Sequence, residues 1–294
     1  PFLEFLLMDP HRLDSDQYGL DDKLDLDDDL DFWLSELDVS DLDRYDEDGE
    51  PPSLLLDVPY VPTDSRIVQA MLDLGEVSSD DLLYDLGCGD GRIVVTAAQE
   101  RGTRGVGIDM DPERVAEAID LARYSKVEDL TSFFEADLLE AEFSDATVLM
   151  IYLLDTVNLE LRPRLLQELH PGTRIVSHAF DMADWKPDRQ ERLGGIELYK
   201  WVVPAPVAGT WQWQNQDGDR YRVSLEQKFQ KLSGQAWLNG KEVQLHRARL
   251  YGDLLELGIK PSHRGKAHNF VMRWQDGELH PVDDHGQDGP ARRM

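Results

Sequence analysis

Cysteine is nearly absent. Cys88 stands alone among 294 residues, which excludes an intrachain disulfide and any multi-cysteine zinc site and fits a reducing cytoplasm. The eight histidines form no His-x-x-x-His pair; His263, His268, His280 and His285 read as polar loop, and no metal site is expected. No apolar run approaches the ~18 to 20 residues of a membrane helix. The opening "PFLEFLL" has neither the basic start nor the length of a secretory signal. Lysine is scarce too, nine beside 21 arginines, a bias suited to high salt, where self-repulsion is screened.

The largest deficit is in basic charge. Lys and Arg number 30 against 59 Asp and Glu, for a net charge of −29. The first 60 residues alone carry −17, with 20 acids against Arg12, Lys23 and Arg44. So acidic a chain repels nucleic acid and anionic membrane, and neither is expected as a partner. A basic or lysine-rich protein is favoured by charge, although so diffuse a field steers encounters without choosing one.

What is present falls into four parts. Residues 1–57 read as an acidic head, disordered or loosely docked, with Leu30, Trp33, Leu34 and Leu37 sharing one face of a possible short helix. Over 58–204 the pattern tightens. A helical stripe of Ile67, Val68, Met71 and Leu72 ends at Gly75, after which strand and helix signals alternate. Strands are predicted at 82–86, 105–109, 132–135, 147–152 and 174–179, and helices at 91–100, 112–124 and 157–169. That alternation specifies an α/β fold with a Rossmann-like, doubly wound, mainly parallel sheet. Over 205–282, turn pairs such as Asp217-Gly218 and Asn239-Gly240 separate alternating segments, as in a small antiparallel all-β meander or barrel of six to eight strands. Tyr221, Val223, Leu225 and Phe229 are expected to point inward together. Trp211, Trp213, Trp237 and Trp274 read as core, or as the lining of a barrel mouth for an apolar ligand. Residues 283–294 read as a flexible tail.

The stretch "LYDLGCGDGR" (83–92) carries the chemistry. It sits at the carboxyl end of the first strand, where such sheets bind ligands. Gly87 permits the tight exit, Gly89 lets a ligand approach the backbone, and Gly91 lets the next helix pack closely. A dinucleotide fingerprint would need glycine where Arg92 stands, and no Gly-Lys-Ser/Thr follows for a P-loop. Instead the turn holds Asp85 and Asp90. Acids repel phosphate but suit a cationic ligand, and S-adenosylmethionine carries a sulfonium and an ammonium and no phosphate.

Asp85-x-Gly-x-Gly-x-Gly91 resembles motif I of the class I S-adenosylmethionine-dependent methyltransferases. "YVPT", "YDLGCGDGRIVV" and "LRPRLLQELHPGTRIVSHAFDMADWKPD" narrow the resemblance, over about residues 58–190, to the seven-β-strand protein-lysine methyltransferases of the mitochondrial type and their bacterial relatives. The likeness implies that Asp109 takes the ribose hydroxyls, Asp137 the adenine amino group, and Met110 and Leu138 the ring faces. Tyr60 would close over the methionine half of the cofactor and Thr63 would bond its carboxylate. Tyr152, Asp155 and Asn158 occupy the fourth-strand motif that faces the methyl, and the fifth-strand end offers His178, Asp181 and Trp185. Each has a plainer reading: Tyr152 as strand-end packing, Asp155 or Asn158 as a helix cap, His178 as a hydrogen-bonded strand-end histidine, Trp185 and Cys88 as filler. Three functions follow: a protein-lysine methyltransferase with the β region as substrate adaptor, a small-molecule methyltransferase whose pocket that region covers, or a cofactor-binding module without catalysis.

Overall fold

The computed structural model describes residues 62–262, 265–282 and 289–294. The acidic head and Tyr60 lie outside the described residues. The first sheet contains β1 (Leu82–Leu86), β2 (Arg104–Asp109), β3 (Thr131–Glu135), β4 (Val148–Ile151), β5 (Arg174–His178), β6 (Arg189–Leu193) and β7 (Ile196–Val202). Their order is β3-β2-β1-β4-β5-β7-β6. Strands β1 to β5 run parallel, while β7 is antiparallel to both of its neighbours. The order reverses between β1 and β4, which places a crevice beyond their carboxyl ends.

Helices α1 (Ser65–Leu74), α2 (Arg92–Arg101), α3 (Pro112–Ser125) and α4 (Asp155–Glu168) accompany this sheet. Asp64 caps α1 by accepting the Arg66 N–H, and Asp111 caps α3 by accepting that of Glu113. The strand β4 shows why the inner segments are apolar without interruption. Val148 and Met150 pack with Val68, Met71 and Leu72 of α1, while Leu149 and Ile151 pack with Leu161 and Leu165 of α4, so both faces are covered. The β6–β7 hairpin, which turns at Gly194-Gly195, was not among the predicted strands: "RQERL" offers no apolar alternation to mark β6.

The second sheet comprises β8 (Gly209–Gln214), β9 (Arg220–Lys228), β10 (Lys231–Leu238), β11 (Lys241–Tyr251), β12 (Leu254–Lys260), β13 (His268–Gln275), β14 (Glu278–Pro281) and β15 (Arg292–Arg293), all antiparallel. Ala291 bridges to Leu279 of β14 while β15 pairs with β8, and this closes the sheet into a barrel. The core of the barrel includes Trp211, Tyr221, Val223, Leu225, Phe270 and Met272.

Four expectations change here. The end of the expected tail is the closing strand: Ala291 is fully buried, and the Arg293 guanidinium lies 4.9 Å from the Trp211 ring centre. Phe229 leaves the β9 alternation at a φ of +54° and joins the core of the first sheet, stacked on Trp185 at 5.8 Å. Trp237 lies under the Arg222 guanidinium at 4.2 Å, because its strand position is the outward one between buried Ala236 and its neighbours. His268 and His280 lie in strands rather than loop, and His268 Nδ1 is 2.6 Å from the Tyr221 hydroxyl.

Candidate functional site

A cleft of about 960 Å³, counting its open mouth, lies over the carboxyl ends of β1, β2, β3 and β4. The glycine turn forms its floor. Gly87 has a φ of +77° and Gly91 a φ of +76°, a region costly for residues with a Cβ. At Gly91 a Cβ would also fall 2.7 Å from both Ala118 of α3 and the Phe133 ring, so this glycine is what lets α2 and α3 close on the turn.

Among the described residues, Asp85, Asp90, Asp109, Asp111 and Asp137 line the cleft with only Arg92 and Arg114 as basic partners. Asp109 accepts the Gly89 N–H at 2.8 Å and the Asp111 N–H at 3.0 Å, which ties the end of β2 to the turn. Asp137 accepts the Leu139 N–H at 2.8 Å. Asp85 is 2% exposed. Burial first, and then the carboxylates of Asp109 and Asp90, hold its pKa well above the ordinary carboxylate range. A cation in the cleft would relieve this and a phosphate would worsen it, so the residues present fit S-adenosylmethionine. Cys88 is buried, and burial, with Asp85 and Asp109 nearby, pushes its thiol pKa up; it is a filler, not a nucleophile.

Arg92, which the sequence offered only as the residue that breaks a dinucleotide fingerprint, has a structural part. Its guanidinium pairs with Asp90 at 2.7 Å and donates to the Thr63 carbonyl at 2.8 Å, clamping the segment before α1 to the turn. Thr63 is buried and lines the cleft beside Pro62, as do Met110 and Leu138. Sequence reasoning also passed over Arg114, Leu139, Leu153 and Val157 in the lining; only their spacing from the turn could have pointed to them.

The three residues of the fourth-strand motif separate. Tyr152 lines the cleft, with its ring 3.8 Å from that of His178. Asp155 is exposed at the first position of α4, where its carboxylate accepts the adjacent Thr156 N–H at 2.9 Å. Asn158 is fully buried and lies apart from the cleft lining, because the α4 turn that carries it faces β5. Its amide donates to the Ser177 hydroxyl at 3.3 Å and to the Phe180 carbonyl at 3.4 Å.

Comparison with known proteins gives methyltransferases, which differ in the acceptor they are named for. The family model for the ANTKMT methyltransferase domain matches residues 85–189 and so ends where β6 begins. A protein-lysine N-methyltransferase of Saccharolobus islandicus is 44% identical over 131 residues, 44% of this chain and 81% of that relative. The adenine nucleotide translocase lysine N-methyltransferase of Mus musculus is 31% identical over 134 residues, 46% of this chain and 58% of its own length. A solved structure described as an RNA methyltransferase from Salinibacter ruber, in complex with S-adenosyl-L-homocysteine, is 50% identical, covers 50% of this chain and 96% of its own, and superposes with a TM-score of 0.49.

Proposed function

We propose, from the premise that this chain belongs to the S-adenosylmethionine-dependent protein-lysine N-methyltransferases, that it methylates a lysine side chain of a protein partner. The observation that carries this reading is the excess of acid around the glycine turn, with Asp85 buried against Asp90 and Asp109. Such a turn is built for a cation.

When bound, S-adenosylmethionine supplies a methyl group on a sulfonium, an electrophile whose transfer needs aim more than strong acid or base. Asp109 would take the ribose hydroxyls, Asp137 the adenine amino group, and Met110 and Leu138 the ring faces. Thr63 and the turn around Asp85, Gly87 and Gly89 would hold the methionine half, with Tyr60 closing over it. Tyr152 would wall the acceptor side. Asp155, exposed just beyond β4, would draw in the lysine ammonium, and Asn158 would act through Ser177 by fixing the β5 end rather than by touching substrate. A single cysteine agrees with a reducing cytoplasm as the place of work. Among the described residues no helix is long and apolar enough to cross a membrane.

Label transfer tests the reading. The purified chain is incubated with methyl-labelled S-adenosylmethionine and a desalted cell extract, and the protein, nucleic-acid and small-molecule fractions are counted separately. Label recovered from a discrete protein band as methyl-lysine is the expected result. Label confined to RNA or to small molecules would overturn the lysine assignment.

A further inference from the structure

Among the described residues, four buried polar side-chain atoms lack a hydrogen-bond partner: Asn158 Oδ1, His178 Nδ1, Trp185 Nε1 and Trp213 Nε1. His178 differs from the other three in place. It is the last residue of β5 and only 3% exposed. Val176 packs with α1, and side chains two apart in a strand share a face. His178 therefore lies on the α1 side of the sheet, as does Tyr152, two residues past Met150.

The strand order gives this position its meaning. The cleft runs from Asp137 beyond β3, past Asp109 of β2 and the turn after β1, to Tyr152 beyond β4. The next strand is β5, and His178 ends it. Its ring lies 3.8 Å from that of Tyr152, which lines the cleft, while His178 itself stands just behind that lining. The backbone beside it is held under strain. Ala179 has a φ of +64° and is pinned there by its N–H to the Glu197 carbonyl at 2.8 Å, a conformation that costs free energy and concentrates at functional sites. An unpaired ring nitrogen in such a place is itself costly.

We propose that His178 accepts an N–H of the substrate amine at Nδ1, with the Tyr152 ring as the wall that fixes the imidazole, and so aims the amine lone pair into the cleft. The proton then sits on Nε2. Burial holds the His178 pKa down, at about 4, so the ring is neutral at physiological pH and has a lone pair to offer. The inference rests on the lysine reading of the substrate.

Two substitutions of similar bulk separate this role from packing: His178→Asn keeps a polar atom near the position of Nδ1, and His178→Leu does not. With methyl-labelled S-adenosylmethionine and poly-L-lysine as acceptor, His178→Leu should lower kcat about 50-fold while the calorimetric affinity for S-adenosylhomocysteine stays unchanged. His178→Asn should recover most of that loss. A second readout needs no turnover. In the protein loaded with S-adenosylhomocysteine, the ¹⁵N resonance of His178 Nδ1, assigned by its loss in His178→Asn, should move on addition of n-butylamine, a lysine side-chain mimic. Wild-type turnover in His178→Leu, equal losses in both variants, or an Nδ1 resonance indifferent to butylamine would overturn the proposal. If the wild-type chain labels RNA or a small molecule and not poly-L-lysine, it is the lysine reading that fails, and the resonance still decides whether Nδ1 takes an amine.

Discussion

The two ends of the parallel sheet treat carboxylates in opposite ways. At the amino end, Asp81 just before β1 accepts from Thr147 Oγ1 at 2.7 Å and from the Ser78 N–H at 2.8 Å, and pairs with Arg174. Burial alone would raise its pKa, but the hydrogen bonds from Thr147 and Ser78 and the Arg174 charge outweigh it and the pKa falls. Glu76 nearby is lowered chiefly by its hydrogen bond from Lys200. At the carboxyl end Asp85 is buried more deeply than Asp81, and that burial, with two acids for neighbours, pushes its pKa the other way. The difference separates a charge that holds the sheet together from one kept for a ligand: the first is satisfied within the chain, the second is left unbalanced.

The largest effect should come from the carboxyl end. Asp109→Ala removes the carboxylate proposed to take the ribose hydroxyls, through two charge-assisted hydrogen bonds of about 2 kcal/mol each, so S-adenosylhomocysteine affinity by calorimetry should fall about 1,000-fold. A loss under tenfold would remove Asp109 from the cofactor site. Next, at the amino end, Asp81→Ala strands Arg174 and should cost about 3 kcal/mol of stability in urea unfolding while leaving cofactor affinity unchanged. The pH dependence follows from the sign of the shift. Because the folded pKa of Asp81 is depressed, its contribution is present above the ordinary carboxylate pKa of about 3.9 and lost as pH falls through the lower folded value.

Asp85→Asn should behave as the inverse. A raised folded pKa makes the native state bind the proton more tightly, so the penalty starts as pH rises past about 3.9 and grows until the elevated value is reached. The variant without ligand should therefore melt higher than the unsubstituted protein at pH 7, with the gap closing on acidification, while cofactor binding weakens about tenfold for loss of one favourable charge contact. A variant that melts lower at pH 7 would show that Asp85 is compensated after all, and the contrast between the two ends would collapse.

The carboxyl end was legible and the amino end was not, for a physical reason. The site is built from consecutive backbone: Gly87, Gly89 and Gly91 in one turn, with Asp109 and Asp137 each at the end of a strand whose apolar run announces it. The Asp81, Thr147 and Arg174 cluster joins residues up to 93 apart in sequence, and no local pattern marks such a pairing. Asn158 shows the same limit in reverse. Its position after β4 suggested the cleft, but which face of α4 it occupies depends on packing against Ser177 and Phe180. Most barrel strands were legible from turn pairs such as Asn239-Gly240, but the β9–β10 turn at Phe229 and Gln230 carries no such pair, and Ser233-Gly234, which reads as one, lies inside β10. The closing strand at Arg292 and Arg293 was not legible, since two residues in a polar tail carry no alternation.

The smallest expected effect asks whether the carboxyl end senses the barrel at all. Three consecutive residues, the last of β9 and the two of the β9–β10 turn, reach the segment that leads away from His178. Lys228 pairs with Asp184 at 3.0 Å, Phe229 stacks on Trp185, and Gln230 donates to the Lys186 carbonyl at 2.7 Å. Phe229→Leu keeps most of the apolar contact and gives up the ring stacking, worth about 1 kcal/mol. Because these contacts fall on Asp184 to Lys186 rather than on His178 or Tyr152, turnover in the label-transfer assay should stay within about threefold of the unsubstituted chain while the urea midpoint drops slightly. A tenfold loss of turnover with cofactor affinity intact would instead make the barrel part of the acceptor site, since strain at residue 185 would then be felt across the seven positions that separate it from the end of β5.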